Sequence, residues 1–140
     1  MKNIKKYLTM VLTVAMVIGS LSVVVAGSDS GNIYVTPSCT AYCDVWCDEF
    51  SSTASTWLYL DIGYNSNSYS AYVSLEVTAG RELDYEVLGT DSCLASSASD
   101  SRAIADAEVS YSEVPYRAES YHEASVGVSS DNIELTASFD

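Results

Sequence analysis

From Ile33 to the C-terminus, apolar and polar residues alternate with a period of two along almost every segment. That period belongs to strands with one face against a core and the other toward water. The clearest run places Thr56, Leu58, Leu60, Ile62 and Tyr64 on one face, with Trp57, Tyr59 and Asp61 on the other. A second run sets Ala71, Val73, Leu75 and Val77 against Tyr72, Ser74 and Glu76. Between them stands Asn65-Ser66-Asn67-Ser68, four residues that favour turns. The two runs are therefore predicted to form a hairpin in which Ile62 faces Ala71, Leu60 faces Val73 and Leu58 faces Leu75. A slip of one residue would oppose polar to apolar side chains throughout, so the alternation specifies this register.

The C-terminal segment repeats the pattern, with Ser129-Ser130-Asp131-Asn132 as the turn. Val126 is then expected opposite Leu135, Ala124 opposite Ala137, and His122 opposite Phe139. Upstream, Ala103, Ala105, Ala107, Val109 and Tyr111 alternate with polar residues. Alanine favours helices and Asp100 is a fit cap, so a helix over 99–110 competes with a strand there. The unbroken phase through Val109 and Tyr111 favours the strand, paired with residues 117–128 around a loop holding Pro115. Shorter strands are expected at 32–36, in part of 39–48, and at 82–88 with Leu83, Tyr85 and Val87 inward. Seven to eight strands with short turns predict an all-β fold. The architecture expected is a single antiparallel β-sandwich, immunoglobulin-like in the broad sense.

Residues 1–26 stand outside this pattern. Lys2, Lys5 and Lys6 precede an uncharged apolar stretch from Tyr7 to Val25, and Val24-Val25-Ala26 offers small residues where a signal peptidase cuts. The expectation is a cleaved signal peptide over 1–26 and a secreted domain over 27–140. An uncleaved membrane anchor is the rival reading, because about twenty apolar residues suffice to span a bilayer. A lysine-rich start with this cleavage site fits bacterial export. No Cys near position 27 offers a lipid attachment point.

All three lysines lie in that leader. Residues 27–140 keep only Arg81, Arg102 and Arg117 against 19 acidic residues, a net charge of −16. Such a surface repels phosphate backbones and anionic headgroups, so neither nucleic acid nor, after cleavage, a membrane is an expected partner. Cationic partners, weak calcium binding near Asp61, Asn65 and Asn67, or solubility alone fit the charge.

Cys39, Cys43, Cys47 and Cys93 form an even set in an exported chain, which predicts two disulfides. In each of the three connectivities, Cys93 pairs with one of the trio and the other two pair locally. Residues four apart in a straight strand lie about 13 Å apart, so a local bridge requires residues 39–47 to bend or loop. Zinc held by the trio with Cys93 or His122 is the alternative, although zinc sites favour closer C-x2-C pairs.

No catalytic constellation rises above chance, and neither an enzyme activity nor a cofactor is expected. His122 is the only histidine, no G-x-S-x-G elbow occurs, and an inward imidazole reads as a hydrogen-bonded core residue. Asp29-Ser30-Gly31 matches the D-[ST]-G triplet of aspartic proteases in a single copy with no strand predicted before it. The best binding candidate is the outward side of the first predicted hairpin. There Trp57 would face Glu76, Tyr59 would face Ser74 and Tyr72 would face Asp61. Aromatic rings beside carboxylates suit sugar stacking or a protein interface. Trp57, Tyr59, Tyr72 and Glu76 are thus the candidate site of a non-catalytic extracellular domain with a surface glycan or protein as partner. The alternative is a secreted effector, a bacteriocin-like toxin or a protease inhibitor presenting the 39–47 loop.

Overall fold

The computed structural model describes residues 26–60, 68–80, 85–97 and 102–139. Eight strands follow one another: β1 (Gly27–Thr36), β2 (Cys39–Cys47), β3 (Ser51–Leu60), β4 (Tyr69–Ala79), β5 (Glu86–Ser97), β6 (Arg102–Ser110), β7 (Arg117–Val126) and β8 (Ser129–Ser138). They build two four-stranded antiparallel sheets, β1-β2-β3-β6 and β5-β4-β7-β8. The sheets stack with β6 over β5, β3 over β4, β2 over β7 and β1 over β8. The described residues are all-β, as the alternation predicts, and the described part of the 99–110 segment is strand β6 (Arg102–Ser110). Residues 1–25 of the 1–26 leader, the strand extension through Ile62 and Tyr64, the turn at Asn65–Asn67 with its calcium candidates, and Leu83 lie outside the described residues.

The predicted inward faces of β3, β4 and β6 are inward. Ala71, Val73, Leu75 and Val77 of β4, Ala54, Thr56 and Leu58 of β3, and Ala103, Ala105 and Ala107 of β6 are all buried. The layers approach closely at Gly89 of β5, where an added Cβ would lie 2.5 Å from Val109 Cγ1 of β6. Strand neighbours, however, differ from those predicted. β3 and β4 do not pair; β3 lies between β2 and β6, and β4 between β5 and β7. Their apolar faces meet across the core instead of side by side. The pairing of β6 with residues 117–128 is likewise replaced, because β6 returns beside β3 while β7 crosses to β4. Tyr85 and Val87, expected inward, are exposed, and the ladder shifts register between Val77 and Thr78.

The β7–β8 hairpin forms with a different turn. Val126 pairs with Ser129 and His122 with Ile133, so Gly127-Val128 is the turn and Ser129–Asn132 belong to the strand. Gly127 has φ 64°, a conformation open to glycine and costly to residues with a Cβ. The slip is even-numbered, so the same side chains stay inward. Gly127→Ala is expected to cost about 1–2 kcal/mol in urea unfolding, from backbone strain alone. An added Cβ there meets no atom within 4 Å.

The two expected disulfides are not present in this structure. Residues 39–47 form a regular strand, not a bend, with Cys39, Cys43 and Cys47 buried at alternate inward positions. Four-residue steps along a straight strand separate them by about 13 Å, too far for a local bridge or for one shared zinc ion. Cys93 sits on β5, opposite Val73 and over β6, at the far side of the sandwich from β2. All four thiols are free. The loop that would carry an inhibitory segment is therefore a strand with neighbours on both sides.

Two aspartates guard the open sides. Asp29 lies on the inward side of edge strand β1, opposite Val45, and its Oδ2 accepts the amide of Thr136 on β8 at 3.3 Å. Asp91 lies on the inward side of edge strand β5, opposite Leu75, and its Oδ2 accepts the amide of Glu108 on β6 at 2.9 Å. Each inward carboxylate thus satisfies an edge N–H of the opposite sheet and makes that edge unattractive to a further strand. The Asp29-Ser30-Gly31 triplet has this role within β1.

Candidate binding face

The outer side of the first sheet carries most of the exposed aromatic surface. Its register sets four cross-strand rows from β1 to β6: Ser28–Trp46–Thr53–Glu108, Ser30–Asp44–Ser55–Asp106, Asn32–Tyr42–Trp57–Ile104, and Tyr34–Thr40–Tyr59–Arg102. Tyr34, Tyr42, Trp46, Trp57, Tyr59 and Ile104 are each between 38% and 69% exposed. These rings are large enough to dominate an interface, and a folded core has no use for them outside. Tyr42 and Tyr59 meet edge-on with centroids 6.0 Å apart, which holds the central pair of strands' rings in place. Two depressions open on this face. One, about 560 Å³, lies between Ser28, Ser30, Trp46, Thr53 and Asp44; the other, about 270 Å³, lies between Asn32, Tyr42, Trp57 and Asp44. Asp44 is common to both. Partial burial raises its pKa, hydrogen bonding from the Ser55 backbone opposes the rise, and repulsion from Asp106 adds to it.

The sequence-derived site is divided by the topology. Trp57 and Tyr59 are on this face, but Tyr72 and Glu76 project from β4 on the outer side of the other sheet. The expected Trp57–Glu76 and Tyr59–Ser74 pairs do not exist, because β3 and β4 belong to different layers. Tyr72 packs beside Tyr121, with centroids 6.3 Å apart, and Glu76 accepts a hydrogen bond from the Tyr85 hydroxyl. Glu76 lies opposite Glu119, itself paired with Arg117 at 3.3 Å. Tyr72, Glu76 and Glu119 line an open groove of about 630 Å³ together with Tyr121 and Glu134. It has fewer exposed rings than the first face and is richer in carboxylates.

Tyr34, Tyr42, Trp46 and Ile104 were missed as site residues. The signal was present: Thr40, Tyr42, Asp44 and Trp46 alternate outward along 39–47. The expectation of a disulfide-bent loop there hid it.

His122 belongs to the core. It is fully buried, with Nδ1 2.8 Å from Thr56 Oγ1 and Nε2 2.8 Å from Ser120 Oγ. Thr56 Oγ1 donates to the Tyr72 carbonyl at 2.9 Å. A hydroxyl has one hydrogen, so this assigns Nδ1–H as donor to Thr56 and leaves Nε2 to accept from Ser120. The imidazole is neutral in this arrangement. Burial lowers its pKa to about 4, against a smaller opposite pull from the Ser55 carbonyl. A proton carrier sealed between two sheets has no route to a substrate.

Among the described residues there is no helix long and apolar enough to cross a membrane, and no group of three or more His, Cys, Asp or Glu that would hold a metal ion. The chain matches no family model, no curated protein and no solved structure.

Proposed function

We propose that the chain is exported with loss of residues 1–26, and that residues 27–140 act outside the cell as a non-catalytic binding domain. Its partner is a surface glycan or protein, engaged through the outer face of the first sheet. One observation carries this reading: five exposed Tyr and Trp rings share that face, interleaved with Asn32, Thr53, Ser55 and Asp44. Rings supply stacking area at low entropic cost, and the polar groups between them supply orientation. The enclosure of His122 supports a non-enzymatic role. The net charge of −16 supports a partner other than nucleic acid or an anionic membrane.

The connectivity supports the immunoglobulin-like label in its broad sense. In an immunoglobulin sandwich strand B lies beside A and E, and strand F beside C and G. Here β3 lies between β2 and β6, and β7 between β4 and β8, the same neighbours in the same chain order. β1 is additional, and β5 sits beside β4. Thr56 of β3 and His122 of β7 then bridge the sheets where antibody domains place their disulfide between B and F.

The two outer faces provide an internal control. Trp57→Ala with Tyr42→Ala is expected to reduce retention on insoluble glycans or cell-wall preparations at least tenfold. Tyr72→Ala with Tyr121→Ala is expected to change it less than twofold. Retention unchanged by the first pair, in protein with an unchanged thermal transition, would remove the first face as the site.

A further inference from the structure

The aromatic face also carries charge in a fixed pattern. Asp44 and Asp106 occupy one row, separated by Ser55 on β3, and so lie about 10 Å apart at two strand spacings. The rows on either side bring Trp46 on β2 about 7 Å one way, and Tyr42 with Trp57 about 7 Å the other. Glu108 closes the row of Trp46. Arg102 is the one cationic residue among these four rows, and it lies at a corner opposite Tyr59. Asp44 forms part of both depressions, with aromatic walls in each. Among the described residues no cation lies beside either central carboxylate in the register, while residues 27–140 carry −16.

A carboxylate flanked by electron-rich ring faces is the environment that attracts an organic cation. An ammonium or guanidinium group gains charge pairing from the carboxylate and cation–π attraction from the rings. Guanidinium adds planar stacking and a two-pronged grip on a carboxylate. A neutral glycan would use the rings and leave Asp44 and Asp106 repelling one another beneath it. We propose that the outer face of the first sheet docks a polycationic polypeptide segment, whose Lys and Arg side chains seat on Asp44 and Asp106 between the rings of Trp46, Tyr42 and Trp57. The inference rests on the binding-face reading above and narrows its partner class. Residues three apart in a polyproline-II segment project to the same side about 9 Å apart, which matches the span between the two carboxylates.

The test uses residues 27–140 with all four thiols intact and dye-labelled deca-arginine and deca-lysine as probes, followed by fluorescence anisotropy. Asp44→Asn with Asp106→Asn is expected to weaken binding at least tenfold and to flatten its salt dependence. Trp57→Ala is expected to weaken it about fivefold. Glu123→Gln with Glu134→Gln removes the same charge from the opposite sheet and is expected to have less than a twofold effect. Equal losses from both charge pairs would mean that net charge alone attracts the peptides, and would overturn the proposal. So would tighter binding of a glucosamine oligomer than of either peptide at the same face. Binding of neutral oligosaccharide that is lost in Trp57→Ala, with no peptide binding, would overturn it while leaving the binding-face reading standing. If no probe responds to any first-face variant, both readings fail. Circular dichroism of each variant confirms that the sandwich is retained.

Discussion

His122→Ala is expected to lower the unfolding free energy by about 3–4 kcal/mol, measured by urea denaturation at pH 7. Two contributions add. The missing ring leaves a cavity between sheets that are otherwise packed with alanine and valine, and the hydroxyls of Thr56 and Ser120 lose their shared partner. Each hydroxyl keeps a carbonyl acceptor, Tyr72 for Thr56 and Leu135 at 3.4 Å for Ser120, so the cavity is the larger contribution. The same residue governs the mildly acidic range. In the unfolded chain its imidazole titrates near 6.5, whereas burial lowers the folded value to about 4. Between those values the unfolded state takes up a proton that the native state refuses, so stability rises with pH. The neutral histidine's contribution is complete above about pH 6.5 and is lost as pH falls toward about 4. The drop from 6.5 to about 4 corresponds to about 3 kcal/mol. Asp44 acts in the opposite sense, because its raised pKa favours the folded state as carboxylates begin to protonate. The diagnostic window is therefore pH 5–6.5, above the carboxylate range. There the wild-type urea midpoint should fall with falling pH, and the His122→Ala midpoint should stay level. A wild-type midpoint that is flat across that window would show that the imidazole titrates normally in the folded protein.

The alternation made one property of each strand legible, the side that faces the core, and that property holds for β3, β4, β6, β7 and β8. It carries no information on which strands are neighbours. Leu58 and Leu75 satisfy their burial equally well side by side in a hairpin or face to face across a sandwich, so the β3–β4 pairing was a choice the pattern did not make. Two short polar segments illustrate the same limit. Asn65–Ser68 and Ser129–Asn132 both have turn composition, yet the latter is strand, because Gly127 turns the chain earlier with its positive φ. The serine-rich stretch from Gly89 to Ser97 has little hydrophobic signal, and it was missed as an edge strand. Edges need few apolar residues, since one flank faces solvent and Asp91 deliberately points a charge inward. The candidate site suffered in consequence. Trp57 and Tyr59 were legible as outward rings, while their true companions Tyr42 and Trp46 were assigned to a disulfide loop.

Thiol chemistry separates the two accounts of residues 39–47 with a large effect. Protein purified without reductant is expected to show four titratable thiols in denaturant, with no change in mass on reduction. In the native state only Cys93, half-buried on an edge strand, should react with a maleimide or disulfide reagent within minutes. Two causes protect the β2 trio. Their sulfurs lie between the sheets, so a reagent reaches them only when the sandwich opens. For Cys43, burial also raises the thiol pKa to about 11, with Asp44 adding a smaller push and Thr56 a partial offset. At pH 7.5 its thiolate fraction is about a hundredfold below that of an ordinary cysteine with pKa 9.0. Native Cys39, Cys43 and Cys47 should then be modified together, at one slow rate set by opening, and that rate should rise with urea in step with unfolding. Export does not require bridges under these conditions, because a buried thiol with little thiolate is a poor partner for exchange even in an oxidising compartment. A mass lower by four hydrogens that reduction restores would show two bridges, one of them within 39–47, and therefore a bent β2. The outward row Tyr42–Asp44–Trp46 would then lose its regular spacing, and the cation-binding face would lose its geometric basis with it.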